Sequence, residues 1–283
     1  MSQKHMLWII LLFFIASVDI CIVRSLERSD SQNPKNKALS LQNENEAMET
    51  LRAFNLPKAD YKILKKRAKT KKDLYESILA YLFCETTNES SLKEWRNGQL
   101  EKEPKAYARF KKIVSALFAD NVYFPVPEAL EDKDASVSYE NSWQYARDYG
   151  GLRGHEGCDI MAALQERGVY PIVSVSDGKI EKMGWLPKGG YRIGIRSPGG
   201  VYYYYAHLAD YEDGLTVGSD IAAGQLIGYM GDTGYSEVEG TTGNFPIHLH
   251  FGMYLNNKDG EEVSFNPYSI LKIIEKRKLK YQF

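Results

Sequence analysis

The chain has 283 residues, of which 43% are hydrophobic and 26% charged, with a formal net charge of −1. This composition excludes a disordered or collagen-like chain and supplies enough apolar material for a real core in one or two domains. Three cysteines exclude a disulfide framework as the main stabiliser, and a pI of about 6.5 without a nucleic-acid-binding motif argues against nucleic acid as partner.

The first predicted element is apolar. Leu7 to Val23 holds 15 apolar residues in 17, interrupted by Ser17 and Asp19, and Lys4 precedes it. A positive n-region followed by an apolar h-region predicts export, with residues 1–24 acting as a signal peptide or a membrane anchor. As a helix the stretch spans about 25 Å, slightly short of a hydrocarbon core of about 30 Å. Residues 25–45 are rich in Ser, Asn, Gln and charge, which predicts a linker.

Residues 46–120 carry helical spacing: Leu74, Ile78, Tyr81 and Leu82 form one face, and Tyr107, Phe110, Ile113, Val114 and Leu117 another. Thr86 to Ser91 between them predicts a turn. The arm is basic, with 16 Lys/Arg against 9 Asp/Glu over residues 51–120, whereas residues 121–240 hold 9 against 18. Such an arm is either a solvated stalk or packing module, or a surface for anionic cell-surface polymer or lipid headgroups.

At Tyr123-Phe124-Pro125-Val126-Pro127 the texture changes. Short β-prone runs follow: Tyr170 to Ser176, Tyr191 to Arg196, Val201 to His207, Leu226 to Met230, and Ile247 to Tyr254. Glycine and proline turns separate them, with no helices between, which predicts an antiparallel β domain over residues 121–283. Tyr268 to Lys280 predicts a short helix with Ile270, Leu271 and Ile274 inward. The fold class is therefore α+β: an N-terminal hydrophobic helix and helical arm, an all-β antiparallel domain, and a short C-terminal helix.

The chemistry-bearing residues lie in the β domain. His155 and Asp159 are four apart with Gly157 between them, a glycine that lets the chain turn tightly. His248 and His250 are two apart in a strand-like run, so both face one side while Leu249 faces the core. By the same alternation Tyr203, Tyr205 and His207 share a face. Neutral imidazoles and a carboxylate are zinc ligands, and a catalytic zinc takes three of them, leaving a position open for water. Four histidines and one aspartate exceed that number. The surplus imidazoles suit proton transfer near neutral pH.

These motifs resemble the lysostaphin/LytM-type zinc endopeptidases, which cut peptide bonds in bacterial peptidoglycan. The resemblance covers roughly residues 137–270. It rests on Arg153-Gly154-His155-Glu156-Gly157-Cys158-Asp159-Ile160, Tyr205-Ala206-His207-Leu208, Gly231-Asp232-Thr233-Gly234, and Pro246-Ile247-His248-Leu249-His250-Phe251. It implies a duplicated-hybrid-motif-like antiparallel fold and one Zn²⁺ held by His155, Asp159 and His250. It also implies a catalytic pair, His207 and His248, leaving open which is the base. Tyr205 is expected to line the groove and to contact substrate, or to pack beside the site. The implied substrate is a peptidoglycan stem or cross-bridge peptide, and the implied location is extracytoplasmic, secreted or membrane-anchored through the N-terminal segment. The alternative is a catalytically silent cell-wall scaffold or hydrolase activator of the same fold. Two departures stand out. Tyr235 to Ile247 is a longer connection than the family's, expected to reshape one groove wall. Cys158 beside a ligand position is expected to pack in the core, and Cys84 and Cys158 are expected to be free thiols.

Overall fold

The computed structural model describes residues 40–257 and 259–283, and the predicted hydrophobic helix and most of the predicted linker lie outside the described residues. No helix among the described residues is long and apolar enough to cross a membrane. Leu39–Phe283 forms one compact unit.

Among the described residues five helices come first: α1 (Glu44–Arg52), α2 (Lys58–Arg67), α3 (Lys71–Cys84), α4 (Glu89–Lys102) and α5 (Pro104–Ala119). Local chemistry sets their ends. The Thr70 side chain accepts from the Asp73 N–H and the Asp73 carboxylate accepts from the Thr70 N–H, a capping box that starts α3. The Asn88 side chain caps Ser91, so α4 begins at Glu89, inside the stretch expected to be a turn. Pro104 opens α5, where its missing N–H has no helical partner to lose. Leu51, Leu64, Ile78, Phe110, Val114 and Leu117 are buried, and Phe83 stacks on Trp95.

The strands follow. The first four are two-residue pieces: β1 (Glu128–Ala129), β2 (Val137–Ser138), β3 (Ala146–Arg147) and β4 (Arg153–Gly154). Next come β5 (Cys158–Ala162), β6 (Pro171–Val173), β7 (Gly178–Leu186), β8 (Gly190–Arg196) and β9 (Tyr202–Tyr211). The rest are β10 (Asp220–Ile221), β11 (Leu226–Met230), β12 (His248–Asn256), β13 (Glu262–Phe265) and β14 (Lys280–Tyr281). The helix α6 (Tyr268–Ile274) lies between the last two, with Ile270, Leu271 and Ile274 buried. The main sheet runs β10-β7-β8-β9-β12-β5-β2, with β11, β6 and β13 paired alongside, and all its pairs are antiparallel. Among the described residues only β1 and β14, in a sheet of their own, run parallel.

Alternation divides the central strands. Ile160, Leu249, Phe251, Met253, Tyr203, Tyr205, Ile193 and Ile195 are fully buried on one face. On the other face lie the polar residues of the site. The helices pack directly on this sheet unit. The Arg52 guanidinium donates to Ser264, the Leu56 N–H donates to the Ser269 hydroxyl at 2.8 Å, and the buried Tyr203 hydroxyl donates to the Asn121 side chain at 2.9 Å.

Candidate metal centre and groove

Register builds the site. In the antiparallel pair of β12 and β5, His250 lies directly opposite Asp159. Directly opposed residues share a face, with Cβ atoms about 4.5–5.5 Å apart. His155 enters from the turn before β5. As a result His155 Nε2, Asp159 Oδ1 and His250 Nδ1 converge: 2.9 Å between the two nitrogens, and 3.0 Å from each nitrogen to the carboxylate oxygen.

These three atoms fit a metal ion. His155 Nδ1–H donates to the Ser142 carbonyl at 3.1 Å, because a carbonyl can only accept, so Nε2 presents a lone pair. With neutral imidazoles, one proton, on His250 Nδ1, is all that is available among three acceptor atoms. It satisfies one contact and leaves the others repulsive; a divalent cation satisfies all three. Tetrahedral zinc with bonds of about 2.0–2.1 Å sets neighbouring ligand atoms about 3.3 Å apart, close to the spacing here.

The surroundings fix each ligand. Arg147 Nη2 donates to Asp159 Oδ2 at 2.6 Å, which leaves Oδ1 for the cluster. Burial raises the pKa of Asp159, but the close imidazoles of His155, His250 and His248 outweigh it and hold the carboxyl far below its usual range. Gly157 acts differently from the expectation of a tight turn. Its φ is not positive; instead the His250 ring occupies the space of a side chain, since a Cβ there would fall 2.5 Å from His250 Cε1.

His207 and His248 face the same groove, with ring centroids 4.8 Å apart. His207 Nδ1–H donates to the Thr233 carbonyl at 2.8 Å and His248 Nδ1–H to the Pro246 carbonyl at 2.7 Å. Both rings therefore offer an unprotonated Nε2, and that of His248 lies 3.8 Å from Asp159 Oδ1. Burial lowers both pKa values, with the neighbouring imidazoles His248 and His250 adding to the effect at His207 and Asp159 opposing it at His248. Both are neutral at pH 7.

One expected site residue is not brought to the groove. Tyr205 is fully buried on the core face, and its hydroxyl accepts from the Val175 N–H at 2.9 Å. The reason is a break in alternation. His207 has φ = +62°, and the pairing of β8 with β9 shifts register between Tyr191 and Ile193. This turns His207 out of the face of Tyr203 and Tyr205 and onto that of Tyr204 and Ala206. Tyr204 lines the groove in place of Tyr205, its ring 5.9 Å from that of His250.

The groove has a volume of about 590 Å³. The long connection after Thr233 forms one wall, as expected: Phe245 packs on His207 at 4.6 Å and on His248 at 5.2 Å, and Tyr235 stacks on Tyr149 at 4.5 Å. Asp232 anchors this wall by pairing with Arg167 and accepting from the Gly243 N–H. Gly190 (φ = +62°) lets the β7–β8 hairpin touch Thr233, where a Cβ would fall 2.2 Å from the Thr233 carbonyl oxygen. Cys158 is buried in the core, and both described cysteines are free. Sequence reasoning missed Ser142, Arg147, Tyr204 and Phe245. None sits in a recognisable motif. Thr233 was visible only as part of a glycine-rich run.

The model of peptidase family M23 matches residues 153–264, which contain all five of these groove residues, His155, Asp159, His207, His248 and His250. The chain is 34% identical over 209 residues to the L-Ala–D-Glu endopeptidase of Bacillus subtilis, covering 72% of this chain and 61% of that protein. It is 32% identical over 145 residues to the glycyl-glycine endopeptidase ALE-1 of Staphylococcus capitis, covering 48% of this chain and 36% of that one. The chain thus spans less than two thirds of the length of either relative. The crystal structure of a LytM protein from Ruminococcus gnavus superposes with a TM-score of 0.70 at 37% identity, covering 83% of this chain and 93% of that one. A likeness that extends over nearly the whole of that structure, together with the family match across the His/Asp groove, places this chain in peptidase family M23.

Proposed function

We propose that this protein is a zinc-dependent endopeptidase that hydrolyses peptide bonds of peptidoglycan stem or cross-bridge peptides. The observation that carries the reading is the convergence of His155 Nε2, Asp159 Oδ1 and His250 Nδ1 in a groove that also holds two free imidazole nitrogens. His155, Asp159 and His250 would hold the metal. A zinc ion bound there supplies a Lewis acid that acidifies water and polarises a scissile carbonyl. The two relatives named above are endopeptidases, one for an L-Ala–D-Glu bond and one for a glycyl-glycine bond.

The chain's own groups do the proton work. With Nδ1–H engaged by backbone carbonyls, His207 and His248 are acceptors at Nε2 in the resting site, and burial keeps them unprotonated at neutral pH. His248, nearer the ligand cluster, takes the proton of the attacking water and later passes it to the leaving amine. His207, its ring 4.8 Å from that of His248, becomes a donor to the developing oxyanion only when it carries a proton at Nε2. The walls formed by Phe245 and Tyr235 exclude water from one side. Substrate location makes the site extracytoplasmic, with residues 1–24 as export signal or anchor.

The test is a digest of purified peptidoglycan by the full chain, read by mass spectrometry, with chelator and His248→Ala controls. New chelator-sensitive fragments are expected. Intact wall in the presence of stoichiometric zinc would favour the silent scaffold instead.

A further inference from the structure

The groove carries a charge imbalance that the proposed reaction does not use. Three acids line it, and each is engaged: Asp159 by Arg147, Glu156 by Arg52 at 3.1 Å, and Glu262 by Arg196 and Lys182. Three cations on the same groove, Arg153, Lys188 and Arg192, form no ion pair with any described residue. Two of them are also short of hydrogen bonds where water does not reach: Arg153 Nε and Arg192 Nη1 are shielded from solvent and have no partner among the described residues. Buried donors of a charged group are rarely left unsatisfied in a native fold. Both guanidinium groups line the groove that Tyr204 lines. Burial pushes the Tyr204 hydroxyl up, and Arg192 and Arg153 both oppose that shift. The missing partner is therefore an acceptor, and the unpaired charge of both groups favours an anion in the groove of the histidine cluster. A guanidinium fork matches a carboxylate with two parallel N–H···O bonds.

We propose that Arg153 and Arg192, with Lys188 at the rim, form a carboxylate subsite, so that the favoured substrate is a peptide with a free carboxylate near the scissile bond and not a neutral glycine bridge. This inference rests on the endopeptidase reading and adds its specificity. The carboxylate belongs to an acidic residue or to a peptide C-terminus, which present the same chemistry to the subsite.

The test separates these sources and also separates binding from cleavage. Three labelled peptides are compared: Ala-D-Glu-Lys-D-Ala with an amidated C-terminus, its D-Gln counterpart with a free C-terminus, and the D-Gln counterpart with an amidated C-terminus. Binding to the metal-free full chain is read by fluorescence anisotropy. Cleavage by the zinc-loaded chain is read by mass spectrometry, with KM and kcat resolved. A carboxylate-bearing peptide is expected to bind about 10–100-fold tighter than the neutral one, and the peptide that shows the gain identifies the source. Arg192→Gln and Arg153→Gln should each shrink that ratio about tenfold, through KM more than kcat, and Arg192→Lys should restore part of it. Lys179→Gln, at the far end of β7 and paired with Asp220, should leave the ratio intact. Equal binding of all three peptides, or variants that weaken all three alike, would overturn the subsite. Cleavage without discrimination would also overturn it while the endopeptidase reading stands. Discrimination in binding with no cleavage of any peptide would keep the subsite and remove the endopeptidase reading.

Discussion

Replacing Gly157 by alanine tests how the fold aims the ligands. The added Cβ would lie 2.5 Å from His250 Cε1, 2.7 Å from His250 Nε2 and 2.8 Å from the Phe251 carbonyl oxygen. Ordinary contact begins near 3.4 Å, so something must move by the better part of an ångström. The Phe251 carbonyl belongs to β12, which is paired on both sides, so it is the imidazole that has to yield. His250 Nδ1 then leaves its positions 2.9 Å from His155 Nε2 and 3.0 Å from Asp159 Oδ1. Metal sites tolerate ligand errors of about 0.2 Å, so zinc affinity should fall by at least about 10–100-fold. Overpacking should cost a further 1–3 kcal/mol, roughly, or about 3–10 °C in Tm for a unit of this size. The opposite sign is expected if the glycine serves only chain flexibility: with φ in the ordinary region, alanine would stabilise by about 0.4–1 kcal/mol. Zinc titration against a chromophoric chelator and thermal unfolding of the full chain measure both quantities. Wild-type zinc affinity with an unchanged or raised Tm would refute the reasoning.

Three other outcomes follow from the structure. Burial pushes the Cys84 thiol up to about 11, so alkylation at pH 8 should run roughly two orders of magnitude slower than for a free thiol and should keep rising tenfold per pH unit above pH 9; a plateau near pH 9, mapped to Cys84 by peptide mass, would contradict this. His207, His248 and His250 have lowered pKa values, chiefly from burial, so the folded chain binds fewer protons than the unfolded one. The stability of the metal-free protein should be fully present above about pH 6.5 and decline as pH falls below it, with a shallower decline in His207→Gln; urea midpoints that stay flat or rise from pH 7 to pH 5 would show the opposite linkage. A fragment of residues 121–283 loses Arg52 from Ser264 and the Leu56 N–H from Ser269, and with them the helices' attachment to β13 and α6. It should unfold at lower urea than the full chain, and equal midpoints would show that the helices contribute nothing to the sheet.

Much of the site was legible because strand alternation is local. His248 and His250 share a face for the same reason that Leu249 is buried, and the spacing alone says so. The helices were legible for the same kind of reason, from the 3.6-residue period of Leu74, Ile78 and Leu82. What failed was non-local. Nothing in Tyr202 to Leu208 marks the left-handed backbone at His207, so alternation put Tyr205 on the face of His207 when Tyr204 is there. Gly157 was assigned to a turn because the His250 ring that fills its side-chain space comes from 93 positions away in sequence. Arg147, in a two-residue strand, and Ser142, in a loop, orient two ligands from segments too short for periodicity, and the attachment of the helices through Arg52, Leu56 and Asn121 depends on tertiary packing that no local pattern encodes.

The most direct test of the central claim is the metal dependence of wall digestion by one set of purified proteins: wild type, His250→Ala and His248→Ala, each as the full chain, assayed for bound zinc and for released peptidoglycan fragments. The account predicts that wild type binds one zinc and releases fragments that vanish with chelator, that His250→Ala loses zinc and activity together, and that His248→Ala keeps zinc while losing cleavage by about 10²–10⁴-fold. Undiminished digestion by His248→Ala, or stoichiometric zinc in His250→Ala, would contradict it.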